Sequence, residues 1–407
     1  MQVKTLYVCY FGIDEPLVQT QVLPYLRELR RDGIGVSLLT FERAPKPDEF
    51  PGKQALAEEG IDWHWLRYHK RLSVLATAWD VIRGAIFVRS FISREQPNVL
   101  HGRVHIPTLM AAIARKFSRR KPKILFDIRG FMPEEYTDAG VWPENGWLYR
   151  LAKRVETALL KSSDGFVVLT EKARTILFPE SAENGLDKLG RPVEVIPCCV
   201  DLARFASAND ETRKQLRTEY GLEERFVAAY VGAFGGWYLT EETADFFGEL
   251  KKKRPDAFAL ILTQSAPGLI EGLLRDRGYG KNDLLVTKVD PGEVPRYLSG
   301  ADFAVSFIKR CYSKQASSPT KNAEYLACGL PIVANAGVGD VDLLLGENRV
   351  GAIVDELSPA GYAAAIAEID MLGQVGERCR ITAREQFDLG SVGGGRYRRL
   401  YSRLLGG

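Results

Sequence analysis

With 407 residues, 45% of them hydrophobic and 26% charged, and a formal net charge of +3, the chain has apolar material for two or three folded domains and too little excess charge to mark a nucleic-acid binder. No run of about 18 apolar residues occurs, so no membrane-spanning helix is expected. The six cysteines, Cys9, Cys198, Cys199, Cys311, Cys328 and Cys379, show neither paired nor zinc-ligand spacing and are expected as free thiols.

The chain opens with too short a lead for a signal-peptide core before the apolar run Leu6–Tyr10, which reads as a first strand of a cytoplasmic protein. Further short apolar runs, Val36–Leu39, Val99–His101, Ile124–Asp127, Phe166–Leu169 and Val193–Ile196, alternate with longer helical patterns. That alternation predicts an α/β fold with a parallel sheet covered by helices. Ligands of such sheets bind beyond the carboxyl ends of the strands, so the loops there carry the candidate chemistry. After the first strand come Gly12, Asp14 and Glu15, where the acids are either ligands of a polar substrate or exposed loop charges. After the third comes His101-Gly102-Arg103-Val104-His105, whose histidine spacing could hold metal but lacks a carboxylate partner in sequence. After the fourth come Asp127, Arg129 and Glu134. Arg129 stays charged at neutral pH and could clamp an anion bidentately; Asp127 reads as its ion-pair partner, while Glu134 fits that role or a ligand's. Between these loops, residues 115–123 hold six basic side chains in nine, either a solvated helix end or a patch drawn to an anionic membrane leaflet.

The least structured connection, Asp201–Asp210, marks a domain boundary. A second series of strands follows at Phe226–Val231, Ala259–Leu262, Leu284–Val286, Phe303–Ser306, Ile332–Ala334 and Ala352–Val354. Gly232, Gly235 and Gly236 form a loop whose backbone could approach a diphosphate, with Thr240 expected to cap the next helix. The most informative segment is Ser317–Ala334. Ser318 reads as an N-cap, Pro319 as the first helical residue, and Gly329 with Pro331 as the stop. Lys321 and Glu324, three apart, share a face. A nucleoside diphosphate would suit this arrangement, with Lys321 on the phosphates and Glu324 on the ribose; a capped helix with a surface ion pair fits the spacing equally well. Asp340-Val341-Asp342 reads as a helix cap. At the end, Tyr397, Leu400, Tyr401 and Leu404 share one helical face behind the glycines Gly393–Gly395.

Glu324-Tyr325-Leu326-Ala327-Cys328-Gly329-Leu330-Pro331-Ile332-Val333 resembles the Glu-x-x-Ala-x-Gly-x-Pro-x-Val run at the nucleotide-sugar site of GT-B glycosyltransferases, in particular the retaining family 4. Val195–Phe205, Tyr230–Gly236 and Asp302–Val305 are similar to further family segments in the expected order. The resemblance implies two Rossmann-like doubly wound domains facing a cleft: an acceptor domain over 1–200, a donor domain over 201–385, and a terminal helix over 386–407 crossing back to the first, hinged at the glycines. It implies sugar transfer, with retention and without metal or other cofactor, from a UDP- or GDP-sugar to a saccharide or lipid-linked acceptor of polysaccharide or glycolipid assembly, at the inner face of the membrane.

Carried over residue by residue, the catalytic set is Lys321, Arg129 and Glu324. The donor site adds Gly232, Gly235, Gly236, Ser317, Ser318, Thr320, Val289 and Lys314; the acceptor side takes Gly12, Asp14, Arg103, Arg129 and Glu134. The sequence departs from the family in three places. Arg129 stands where relatives often have histidine, Trp237 and Tyr238 stand where they supply cations, and Ala316, eight positions before Glu324, stands where many hold a second glutamate. A non-catalytic binding subunit and a nucleotide-sugar epimerase of the same fold are the alternatives.

Overall fold

The computed structural model describes residues 2–44, 51–69 and 73–406. These form two compact units, Met1–Pro197 with Leu389–Gly407, and Cys198–Asp388. The sequence divisions stood at 200/201 and 385/386.

The first unit carries a 7-stranded sheet of β1 (Lys4–Val8), β2 (Gly35–Glu42), β3 (Ile61–Arg67), β4 (Val99–Arg103), β5 (Lys123–Asp127), β6 (Gly165–Val168) and β7 (Val193–Val195), in the order β3-β2-β1-β4-β5-β6-β7. Every pairing is parallel. β3 is absent from the sequence expectation. Its sequence Ile-Asp-Trp-His-Trp-Leu-Arg is interrupted by polar residues because it is the edge strand and its outer half is only partly covered.

The second unit carries a 6-stranded parallel sheet of β8 (Phe226–Val231), β9 (Ala257–Leu262), β10 (Leu284–Thr287), β11 (Phe303–Ser306), β12 (Ile332–Asn335) and β13 (Gly351–Val354), ordered β10-β9-β8-β11-β12-β13. Successive residues of β8 serve opposite cores. Val227 and Ala229 pack with Ala323, Leu326 and Val341 on one face, Ala228 and Tyr230 with Phe246, Phe247 and Tyr362 on the other. Burial on both faces is why these strands read as continuous apolar runs. In each sheet the strand order reverses beside the first strand, at β1/β4 and β8/β11, which is where open sheets bind ligands.

The chain's last helix, Gly395–Leu405, packs within the first unit through the predicted stripe of Tyr397, Leu400, Tyr401 and Leu404. Tyr397 Oη donates to Asp127 Oδ2 at 3.0 Å, and Tyr401 Oη lies 2.9 Å from Thr5 Oγ1 and 3.0 Å from His101 Nδ1. The glycines before it do not read as a free hinge. Gly393 and Gly394 are buried in a π-helical turn, and a Cβ on Gly394 would lie 3.1 Å from that of Glu28, so the small residue serves close packing.

The basic stretch 115–123 is partly structural. Arg115 pairs with Asp164 and donates to the Ser162 carbonyl, and Lys123 lies 3.7 Å from Asp164. Lys116, Arg119, Arg120 and Lys121 are exposed. All six cysteines are free thiols.

Candidate functional site

The glycine loop after β8 has the backbone its composition demands: Gly232, Gly235 and Gly236 adopt φ of 137°, 85° and 61°, values costly for any side chain-bearing residue. Thr240 does not cap its helix; Leu239 holds that position, and the Thr240 hydroxyl accepts instead from the Gly235 amide at 2.9 Å. Phe234 N–H donates to Ser265 Oγ, and Lys309 N–H to the Trp237 carbonyl at 2.8 Å. The loop is therefore pinned against β9 and the extension of β11, with Trp237 and Tyr238 turned over two lysines.

Both lysines lie against the rings of this region. Lys314 is buried with its Nζ 3.9 Å from the Trp237 ring centroid. Lys321 is 8% exposed, and its Nζ stands 4.5 Å from the Tyr230 ring centroid and 4.1 Å from that of Tyr238. A Cβ on Gly232 would lie 3.2 Å from that amine. Lys321 Nζ makes no hydrogen bond, and neither polar atom of buried Asn322 has one. Two such side chains in one helical turn are a costly arrangement unless a ligand completes it. Burial lowers the Lys321 pKa to about 7, with the Glu324 charge opposing only in part. Burial likewise raises that of Glu324, against the charges of Arg204 and Lys321.

The helix that carries them, Thr320–Ala327, starts one residue later than expected. Pro319 is its N-cap residue and no side chain caps it; the Ser318 hydroxyl accepts from the Cys198 amide at 3.1 Å instead. Its seat on the sheet is fixed by Tyr325, whose Oη accepts from Val231 N–H at 2.8 Å and donates to the Val305 carbonyl at 3.4 Å. The open first turn therefore lies at the β8/β11 switch point. The expected surface ion pair is not formed: no Lys321–Glu324 contact within 4.0 Å occurs among the described residues, because Lys321 is drawn under the aromatic rings.

Other predicted donor residues fall into place around this turn or apart from it. Ser317 and Thr320 are half-buried beside it. Val289, after β10, is half-buried, and its carbonyl accepts from Gln264 Nε2. Ala316 is buried and apolar. Asp342 receives the Gly337 amide, while Asp340 occupies the N-cap position without making a side-chain capping bond.

Residues 18–185 match the family described as glycosyl transferase 4-like domain, and residues 212–386 match glycosyl transferases group 1. The chain belongs to the group 1 glycosyltransferases. A glycosyltransferase from Rickettsia africae ESF-5 superposes with a TM-score of 0.73 at 14% identity over 99% of both chains. Sucrose-phosphate synthase from Thermosynechococcus elongatus gives 0.71 at 17% identity, over 98% of this chain and 100% of that one. Anabaena HepE in complex with UDP-glucose gives 0.66 at 15% identity, with 98% and 100% covered. The shared architecture is GT-B. No curated protein sequence matches the chain significantly.

In the first unit of this glycosyltransferase, the predicted acceptor residues are not gathered into one open site. Arg103 and Arg129 are buried in an ion cluster at the carboxyl end of β5. Arg129 Nη1 lies 3.7 Å from Asp127 Oδ1, and Arg103 Nη1 4.0 Å and His101 Nε2 3.6 Å from Asp127 Oδ2. Burial works to raise the Asp127 pKa, but the Arg129 charge, the nearby His101 and Arg103 hold it down at about 2. The Arg129 side chain is thus turned towards a fully buried carboxylate, and its Nη2 donates to Gln21 Oε1 at 3.3 Å. Glu134 pairs with Lys153 at 3.0 Å and accepts from Tyr149, not with Arg129. Gly12 is buried where a Cβ would lie 3.0 Å from Glu42 Oε2, and Asp14 is exposed. His105 meets Glu156 at 3.0 Å, a carboxylate partner that no local spacing could reveal, and among the described residues no group of three or more His, Cys, Asp or Glu could hold a metal ion.

Sequence reasoning passed over Tyr230 and Asn322. Asn322 adjoins Lys321 in the first helical turn, which was a usable signal; Tyr230 lies 91 positions away, and only the sheet brings its ring to the amine.

Proposed function

We propose that this glycosyltransferase moves a sugar, with retention and without metal, from a UDP- or GDP-sugar to a saccharide or lipid-linked acceptor in polysaccharide or glycolipid assembly. The observation that carries this reading is the buried, unpartnered Lys321 amine at the uncapped helix start beside the Gly232 loop. A donor diphosphate placed there would receive a full positive charge, helix amides and a backbone free of side chains. Glu324, one turn deeper, is placed for the ribose. HepE holds UDP-glucose on the same fold, which favours uridine. Charge developing on the leaving diphosphate is stabilised by these groups, and its own oxygen takes the proton of the incoming hydroxyl on the same face of the sugar. Such a site requires no separate general base.

Calorimetric titration with UDP and GDP in EDTA, followed by incubation with the matching nucleotide-sugars, tests this. One nucleotide is expected to bind without metal and its sugar to be released slowly to water or transferred. Absence of binding by both would sink the reading in favour of a non-catalytic subunit, and isomerised donor without release would support the epimerase.

The acceptor's membrane setting is part of the same proposal. The helix Ser73–Glu95 exposes Leu75, Trp79, Ile82 and Ile86, each more than half accessible, on one stripe. Arg89 is exposed further along it. That helix packs along His105–Lys116, with Gly84 against Met110, and the second helix leads into exposed Lys116, Arg119, Arg120 and Lys121. An apolar stripe bordered by cations complements an anionic leaflet, at about 1 kcal/mol per basic residue near the surface. Vesicles containing anionic phospholipid should pellet the protein, and Trp79→Ser with Ile82→Ser should abolish pelleting. Equal pelleting of this variant and the wild type would exclude the helix as the contact.

A further inference from the structure

At the carboxyl ends of β1, β2 and β3 a histidine is held by a buried carboxylate. Asp80, in the helix Ser73–Glu95, has no exposed surface. Its Oδ1 lies 2.6 Å from His69 Nδ1, and its Oδ2 accepts from His69 N–H at 3.0 Å and from Tyr10 Oη at 2.8 Å. A carboxylate only accepts, so His69 Nδ1 carries a ring hydrogen; in the neutral ring the lone pair is then on Nε2. The His69 side chain is one-third exposed. This is the orientation logic by which a buried acid fixes the tautomer and direction of a working imidazole.

A purely structural reading makes Asp80 a staple for the chain after β3. The two backbone bonds already do that, since His69 N–H reaches Asp80 and Tyr68 N–H reaches the Glu42 carbonyl at 2.9 Å. The imidazole adds a third bond to Asp80 through Nδ1, which leaves its second ring nitrogen outside the staple. Beside it lie two half-buried rings, Tyr10 and Tyr68, 5.3 Å apart, with Tyr10 resting at 4.8 Å on the buried Phe41; Phe11, next in the chain, is exposed. Apolar ring faces with a small number of fixed polar atoms are the usual lining of a small-molecule site, and the location is the ligand side of a parallel sheet.

We propose that His69, oriented by Asp80 and Tyr10, binds a hydroxyl of the saccharide acceptor through Nε2, with the Tyr10 and Tyr68 rings against the sugar. The assignment rests on the transfer reaction proposed above. It names acceptor-binding residues that the sequence did not mark.

Saturation-transfer NMR with methyl glycosides of glucose, galactose and mannose tests it on the full chain, with UDP and GDP binding measured in parallel. Wild type should bind at least one glycoside. His69→Phe should weaken it about tenfold, the value of one lost hydrogen bond. Asp80→Asn, whose amide would hand its hydrogen to Nδ1 and move the ring hydrogen to Nε2, should weaken it similarly and exchange the two nitrogen resonances in an imidazole ¹⁵N spectrum. His69→Gln, which keeps an acceptor on the side chain, should retain part of the binding. Nucleotide affinity should not change in any variant. Glycoside binding unaltered in both His69→Phe and Asp80→Asn would overturn the assignment, as would absence of glycoside binding by wild type that still binds nucleotide; loss of nucleotide binding in the wild type would instead overturn the transfer reading itself.

Discussion

Replacing Lys321 with methionine should weaken nucleoside diphosphate binding about a hundredfold, the value of a charge-assisted bond from a desolvated cation. Methionine keeps the volume between the Tyr230 and Tyr238 rings, so the unliganded fold should not suffer. Its Tm should hold or rise, because a buried unpartnered amine is removed. The same lysine makes binding consume protons. Burial sets its pKa at about 7 in the free protein, and a diphosphate would return it toward the ordinary lysine value. Between those limits the complex binds one proton more than its parts. At pH 8 titrations in buffers of different ionisation enthalpy should show uptake of about 0.9 proton, falling toward zero below pH 6, and affinity should drop about tenfold per pH unit above 7. Stability of the free protein runs the other way. The folded pKa lies below the unfolded one, so the penalty of burying the charge is complete below pH 7 and is relieved as pH rises toward the unfolded value. Unchanged affinity in Lys321→Met, or no proton uptake at pH 8 in the wild type, would remove Lys321 from the donor site.

Asp127→Ala should destabilise the first unit by about 3–5 kcal/mol, because it strands Arg103 and Arg129 as buried cations and frees the Tyr397 hydroxyl. The loss should appear first as faster amide exchange in Gly395–Leu405, the helix Tyr397 secures. Asp127 also contributes to acid sensitivity. Its folded pKa, about 2, lies below the ordinary 3.8, so its stabilisation is present above pH 4 and lost as pH falls through 2, a change of about 2 kcal/mol. Urea midpoints measured from pH 6 to pH 2 should therefore fall less steeply in Asp127→Ala than in the wild type. A midpoint at pH 6 equal to that of the wild type would show that the cluster is not a stabilising unit and would return Arg129 to consideration as a substrate ligand.

The two ion clusters show where local reading stops. Arg129 and Asp127 are two residues apart, and their pairing was readable from that spacing; the addition of Tyr397 from the far end of the chain was not. His105 and Glu156 meet only because consecutive crossovers lay their helices on one sheet, and His69, just after β3, meets Asp80 of the helix that follows. Ser318 and Thr240 have the composition of caps, yet each hydroxyl serves a neighbouring loop amide, since tertiary partners competed for the same lone pair. The glycines at 393–395 suggest a hinge by composition, and the packing of Gly394 on Glu28 gives them a different use.

What the sequence determined alone was the alternation of buried strands and helices, the positive-φ glycine loop and the run Lys321–Val333, because each depends on periodicity or on backbone freedom within a few residues. The edge strand β3 escaped it, since a strand with one neighbour needs no continuous apolar pattern. Tertiary structure decided the rest: that the Lys321 amine lies buried between two aromatic rings instead of on Glu324, that Arg103 and Arg129 gather at buried Asp127, and that His69 is held by Asp80. Each of these is a matter of which charges lose water together, and that is set by contacts between residues far apart in the chain.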